Sequence, residues 1–336
     1  MPGTSGVTTE MTSATVADVD VPSGRADAAS RPAAGAPVAT RYRPRHPLDL
    51  RATLAPLGRG PGDPTTSWDA TGLWRAFRTP GGPATLRLEQ RGDEVDARAW
   101  GPGAAHAIAA VPALLGAQDT ADPLDDRGHP VLRRSLHRNP GLRLGRTGRI
   151  LESLLPAIIE QRVTSTEAFR AWAALVRRHG EPAPGPHTPE RMRVVPAPQA
   201  WRAIPSWQWH RAGVDPRRSR VALEAVRRAA ALERLPAGGA EARRALQSIP
   251  GIGVWTAAEA VQRSHGDPDA VSVGDYNLCG FVGHALVGHA VDDAGMLELL
   301  EPWAGQRHRV VRMLLASGLR VERHGPRATI QDHRRH

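Results

Sequence analysis

Lysine is absent from all 336 residues, so every one of the 44 basic side chains is arginine. The codon bias of a high-GC genome is the plain reading of this, yet a chemical consequence follows: no side-chain amine is available for a Schiff base. Cysteine is nearly absent as well. Cys279 alone cannot form an intrachain disulfide, a Cys-based zinc site or a four-cysteine iron–sulfur cluster. The longest apolar stretch, around Ala107–Ala117, is too short to cross a bilayer and contains Pro112. The N-terminus lacks a basic start followed by an apolar core, so no signal peptide and no membrane association are expected.

What is present is positive charge. The chain carries a formal +10, but residues 1–40 hold two arginines against four acids and so oppose that balance, leaving +12 on the remainder. Such an excess argues for a polyanionic partner, nucleic acid above all, against the plainer alternative of a solvated basic surface. Residues 1–40 are rich in small and polar residues without aromatics or periodicity and read as a disordered tail. Residues 41–130 carry mixed signals. HPLDL reads as a short strand, 51–58 as a short helix, and 68–78, 84–90 and 94–100 as strands. A helix over 104–115, bent at Pro112, follows. The order β-α-β-β-β-α predicts a small antiparallel sheet backed by helices. Residues 131–324 read as a helical domain, with a Pro-rich linker at 181–198 and a C-terminal tail at 325–336. Its clearest stripe is Leu151, Leu154, Leu155, Ile158 and Ile159, and Thr164 with Glu167 fits a capping box opening the next helix.

Within 246–260 the sequence LQSIPGIGVWTAAEA stops a helix at Pro250-Gly251-Ile252-Gly253 and at once resumes it. Proline ends the first helix, and the glycines permit a tight turn and close backbone approach. The first N–H groups of the second helix are then free to meet a phosphate oxygen, although an ordinary helix–helix turn reads the same way. About twenty residues on, Asp275 in VSVGDYNL sits at another helix start. Asp is a common N-cap. A carboxylate fixed there is also what a developing sugar oxocarbenium ion needs.

The hairpin LQSIPGIGVWTA followed by VSVGDYNL resembles the helix-hairpin-helix/Gly-Pro-Asp superfamily of DNA glycosylases, more narrowly the DNA-3-methyladenine glycosylase II type. The resemblance covers nearly everything from Pro47 to Leu319. IIEQRVTSTEAF resembles the family's DNA-entering helix–loop–helix, AGVDPRRSRVALEAV its pre-hairpin helix, and EPWAGQRHRVVRML its closing helix. The fold it implies is mostly α: a glycosylase bundle preceded by a TATA-binding-protein-like sheet domain. Asp275 then becomes the catalytic acid, and Trp255, Glu259 and Tyr276 border the base pocket. Gln161, Arg162 and Val163 form the loop that fills the gap left by a flipped base. An apolar wedge is usual there; here it is Arg162. Gly251, Gly253 and Trp255 would offer N–H groups to phosphate, with Arg217 and Arg218 in support unless they are merely a solvated basic face. The carbonyls of Gln247, Ile249 and Gly251 would hold a structural Na+ or K+, and no other cofactor is required. Tyr276, Trp201, Trp207, Trp209 and Trp303 are more readily packing residues.

The bifunctional members of the superfamily need a lysine just after the hairpin, where Trp255 stands here. A monofunctional enzyme without lyase action is therefore implied, and the iron–sulfur branches do not fit. Cationic bases such as 3-methyladenine and 7-methylguanine leave neutral, need no strong general acid, and would gain from an indole ring. Damaged duplex DNA is the expected partner, a monomer the expected state, and the cytoplasm and nucleoid the expected location. The competing readings are a glycosylase for deaminated bases or uracil, a non-catalytic helix-hairpin-helix DNA-binding protein, and an RNA-binding or structural basic protein.

Overall fold

A computed structural model describes residues 36–119, 124–186, 188–236 and 238–321. Most of the tail expected over 1–40, and all of the tail expected over 325–336, lie outside these residues. The described residues belong to a single compact unit.

The front part contains β1 (Val38–Tyr42), α1 (Leu50–Leu54), β2 (Thr66–Trp68), β3 (Leu73–Thr79), β4 (Gly82–Arg91) and β5 (Glu94–Trp100), then α2 (Ala104–Ala109) and α3 (Val111–Leu114). The five strands form one antiparallel sheet in the order β1-β5-β4-β3-β2. Two expectations are corrected here. HPLDL is no strand: Pro47 has no N–H to give a ladder, and Asp49 caps α1 by accepting from Ala52 N–H at 2.8 Å. The first strand lies earlier, and its residues 38–40 fall inside the stretch read as tail. The segment 68–78 is likewise two strands, split where the Asp69 carboxylate accepts from Thr71 and Gly72 N–H. One sheet face buries Leu73, Phe77, Leu86 and Leu88 against α1, α2 and α3.

The helical part contains α4 (Pro130–Arg138), α5 (Ile150–Ile159), α6 (Ser165–His179), β6 (Glu181–Pro182), β7 (Arg193–Val194), α7 (Pro198–Ala203), α8 (Ser206–Arg211), α9 (Pro216–Arg227) and α10 (Ala229–Leu232). It ends with α11 (Gly239–Gln247), α12 (Val254–Ser264), α13 (Leu278–Val287), α14 (Asp293–Leu300) and α15 (Arg307–Ala316). The α5 stripe is buried along its whole length, and the capping box of Thr164 and Glu167 opens α6. The linker over 181–198 is partly structured, because β6 pairs with β7 and Met192 and Val194 pack under Ala76 of the sheet.

Two apolar cores organise these helices. One runs through α5, α6, α9, α11 and α12, and includes a stack of Trp172, Trp201 and Trp209. The other gathers Leu132 of α4 with α13, α14 and α15. Ionic contacts join the sheet to the helices: Arg75 of β3 pairs with Glu152 of α5, and Arg149 bonds Glu152 at 2.9 Å while lying over Phe77. Asp119 pairs with buried Arg309 of α15 in the same manner. Arg312 of α15 donates to Ala52 C=O at 2.8 Å and Arg263 of α12 to Pro56 C=O at 3.0 Å; these bonds hold α1 and the 3-10 turn Ala55–Leu57 against α12 and α15, and a cavity opens between them.

Candidate functional site

The hairpin is built as its residues demand. Ile249 and Ile252 are buried and anchor the turn in the core, while Ile252 N–H reaches back to Ile249 C=O at 3.0 Å. Gly251 takes φ +91°, and a Cβ there would lie 2.4 Å from Val221 Cγ2 of α9. Both conditions require glycine. The first intrahelical bond of α12 is Ala257 N–H to Gly253 C=O at 3.0 Å. The N–H groups of Val254, Trp255 and Thr256 therefore have no acceptor within the helix.

The loop between α5 and α6 is bolted to this turn. Gln161 Nε2 donates to Gly251 C=O at 3.0 Å and to Thr256 Oγ1 at 2.9 Å. Val163 is half-buried against the main core. Arg162, between them, is exposed and held at φ +55°. Of the three loop residues expected at DNA, only Arg162 has its side chain free to reach outward. Arg218 is corrected too. It is buried, and its guanidinium donates to Asp215, to Ile159 C=O at 2.6 Å and to Gly213 C=O at 3.0 Å. It ties α9 to the end of α5, and Arg217 beside it remains exposed.

The carbonyls of Gln247, Ile249 and Gly251 lie at the hairpin where the sequence implied a monovalent cation, and a carbonyl oxygen keeps a second lone pair beyond one hydrogen bond. Gly251 C=O already accepts from Gln161, and Ile249 C=O from Ile252 N–H.

Asp275 stands at the mouth of α13. Gly274, at φ +91°, turns the chain, its N–H bonding Asp293 Oδ2 at 3.0 Å and Asp275 N–H bonding Ser272 C=O at 3.1 Å. Asp275 Oδ1 accepts from Asn277 N–H at 2.9 Å and Leu278 N–H at 3.1 Å. Its Oδ2 faces the Trp255 indole N–H at 3.4 Å. The carboxylate is thus fixed by a helix N-terminus on one oxygen and left with acceptor capacity on the other.

Three residues of α12, at i, i+4 and i+7, face this turn. Trp255 touches Asp275; Glu259 accepts from Ser272 Oγ at 2.5 Å; Gln262 Nε2 donates to Ala270 C=O and Ser272 Oγ. Glu259 is no free attractor of cations. It pairs with Arg263 at 2.8 Å, and although burial alone would push its carboxyl up, Arg263, Ser272 and Arg59 together hold it below the usual range.

Asp275 lines a cavity of about 400 Å³. One wall comes from Leu54, Pro56 and Leu57, the other from Glu259 and Arg263 of α12, Phe281 of α13, and His308 and Arg312 of α15. Trp255 and Tyr276, both expected at a base pocket, do not line it. Trp255 lies at its edge beside Asp275. Tyr276 is 94% exposed and packs on nothing, contrary to the packing role expected of it. Trp201, Trp209 and Trp303 are buried as expected, whereas Trp207 is 53% exposed. His308 and Arg312 were missed in the sequence because an arginine-rich amphipathic helix looks the same whether its charges face solvent or a cavity.

No family model and no curated protein matches the chain. Solved structures do. A 3-methyladenine DNA glycosylase from Archaeoglobus fulgidus superposes with a TM-score of 0.66 at 17% identity, over 83% of this chain and 98% of that one. An 8-oxoguanine glycosylase/lyase from Clostridium acetobutylicum gives 0.62 at 13%, over 83% and 96%. MBOgg1, in complex with a low-affinity DNA ligand, gives 0.65 at 13%, over 83% and 95%. The chain shares the fold of these glycosylase structures, with the sheet in front and the helices behind as the sequence implied.

Proposed function

We propose that the protein is a monofunctional DNA glycosylase, acting in base excision repair on duplex DNA in the cytoplasm and nucleoid. The observation that carries this reading is Asp275, a carboxylate fixed at a helix N-terminus on the wall of a base-sized cavity and next to the hairpin. A module that only docked DNA would have no use for that arrangement.

In this reading the N–H groups at the start of α12 take a phosphate, and Arg217 adds a second backbone contact. Arg162 enters the stack as the damaged nucleotide swings out, at an unstacking cost of a few kcal/mol that is least for a weakened pair. The extruded base enters the cavity and brings C1′ up to Asp275. The carboxylate stabilises the sugar cation and takes a proton from the water that adds to it, leaving an abasic site. No lysine exists to trap the sugar as a Schiff base, so strand cleavage by that route has no nucleophile. Tyr276, exposed beside Asp275, is available to lie against the DNA.

The finer expectation of cationic alkylated purines draws on the ease with which such bases leave. Asp275 lines the cavity such a base would enter, with the indole of Trp255 at the cavity's edge beside it.

The test is base release from duplexes carrying methylated, deaminated or oxidised bases, with wild type beside Asp275→Asn and alkali added afterwards. Wild type should yield free base and alkali-labile sites but no strand break before alkali. Asp275→Asn should keep its DNA affinity and lose at least about 10²-fold in rate. Equal rates for the two proteins, or breaks before alkali, would sink the reading.

A further inference from the structure

Asp275 can act only if the segment that carries it, 270–277 between α12 and α13, keeps one shape. Its two ends are held differently. Ser272 is buried and fixed from α12: its Oγ donates to Glu259 at 2.5 Å and accepts from Gln262 Nε2 at 2.9 Å. Its C=O accepts from Asp275 N–H at 3.1 Å. Gly274, one residue before the carboxylate, has no such bed. It is exposed, its φ is +91°, and a Cβ placed on it would meet no atom within 4 Å. Packing therefore does not fix the turn at this point, and glycine has the widest conformational freedom of any residue.

A side chain from α14 supplies what packing does not. α13 ends at Gly288, whose φ of +83° reverses the chain. Gly283 lets the returning segment press close: a Cβ there would lie 2.5 Å from His289 C=O and 2.8 Å from Val291 N. Asp292 then caps α14 by accepting from Gly295 N–H at 2.8 Å. This route carries the next residue, Asp293, back to the start of α13, where its Oδ2 accepts from Gly274 N–H at 3.0 Å. Its Oδ1 is buried and has no hydrogen-bond partner among the described residues. The carboxylate is thus committed to that one backbone group.

We propose that Asp293 is a positioning residue for base release, holding through Gly274 the turn that aims Asp275 at the cavity. This rests on the glycosylase reading and adds to it a residue that acts through Asp275. Asp293 cannot serve by gripping phosphate, because its charge opposes a polyanion. Nor is it needed to cap α14, since Asp292 does so. What remains is orientation, where an error of about 1 Å in a reacting group costs about 10²-fold in rate. Ser272 anchors the segment from α12 and Asp293 anchors it from α14. The carboxylate between them keeps its direction while the DNA is bent against it.

The experiment uses full-length protein and the duplex, among methylated, deaminated and oxidised ones, from which wild type releases base fastest. Asp293→Ala should lower the single-turnover rate about 10-fold or more, with duplex affinity equal or higher and the melting temperature down by about 2–4 °C at most. Asp293→Asn should recover most of the rate, because an amide oxygen also accepts from Gly274 N–H. Placed in Asp275→Asn, the alanine change should cost nothing further, since residues acting as a unit are not additive. Hydrogen exchange gives a readout independent of activity: Gly274 N–H should be protected in wild type and in Asp293→Asn. An Asp293→Ala enzyme as fast as wild type, no recovery with asparagine, a full further loss in the Asp275→Asn background, or an unprotected Gly274 N–H in wild type would overturn the proposal and leave the glycosylase reading standing. Release of no base by wild type from any duplex would overturn both.

Discussion

At the scale of single residues, the site depends on how buried charges are matched. Glu259 and Arg263 are a closed pair, and Glu259→Gln strips one partner while leaving the other buried. Such a change costs about 3 kcal/mol or more, to be read as a fall in the urea midpoint without a change in slope. The titration signs agree with one another. Glu259 has its folded pKa depressed, so its contribution is present above the ordinary glutamate range and is lost as pH falls through the folded value. His308 and His265 also have depressed folded values, His308 through burial and nearby arginines and His265 chiefly through burial. Their neutral forms favour folding above the ordinary histidine pKa of about 6.5 and oppose it below. The urea midpoint should therefore fall between pH 7.5 and 5.5, and again below about pH 4.5; a midpoint flat from pH 7.5 to 5.5 would contradict the buried neutral histidines. Asp275 was legible in the sequence because a short-range register, hairpin to acid, announces it. His308 and Arg312 were not, because their meaning comes from what α1 and the Ala55–Leu57 turn bring opposite them.

At the scale of elements, the hairpin and the α5–α6 loop form one rigid piece through Gln161. Gly251→Ala forces a left-handed backbone on a Cβ that also strikes Val221. It should destabilise by at least about 1 kcal/mol from the backbone alone, and adding Val221→Ala should recover only the steric part. Arg162 is a different case. An arginine at φ +55° costs local stability, so Arg162→Gly should leave the melting temperature equal or higher while lowering base release from duplex far more than from single-stranded DNA. A loss of stability in that variant would mark the conformation as structural. Helices were read closely where a stripe or cap announced them, as in α5, α6 and α12. The short helices α7, α8 and α14 went unseen because each carries too few turns to show a period. HPLDL was misassigned because its alternation of apolar and polar residues outweighed the missing N–H of Pro47.

At the scale of the whole molecule, the +10 formal charge is the broadest signal, and it is also the one most sensitive to solution conditions. If the exposed arginines and the start of α12 neutralise about six phosphates, affinity for undamaged duplex should drop roughly 10³-fold between 50 and 200 mM salt. Titration of a fluorescent duplex at several salt concentrations gives the slope directly, and a flat plot would remove DNA as the reason for the charge. The fold class was legible at this scale, since sheet and bundle signals occupy separate stretches of the chain. The cavity was not, because its two walls are far apart in sequence: Arg263 of α12 bonds Pro56 C=O across 207 positions.

That separation has an evolutionary reading. The carboxylate, the hairpin and the inserting loop sit on one set of helices, whereas Leu54, Pro56 and Leu57 supply the facing wall from a different layer. On the glycosylase reading, a lineage could retune its lesion by changing three apolar residues near the front of the chain while the helices that carry Asp275, the hairpin and the Arg162 loop stay as they are. On that reading α1 and the turn after it are the adjustable jaw of the tool, and their sequence is where enzymes of this fold with differing substrates should diverge first.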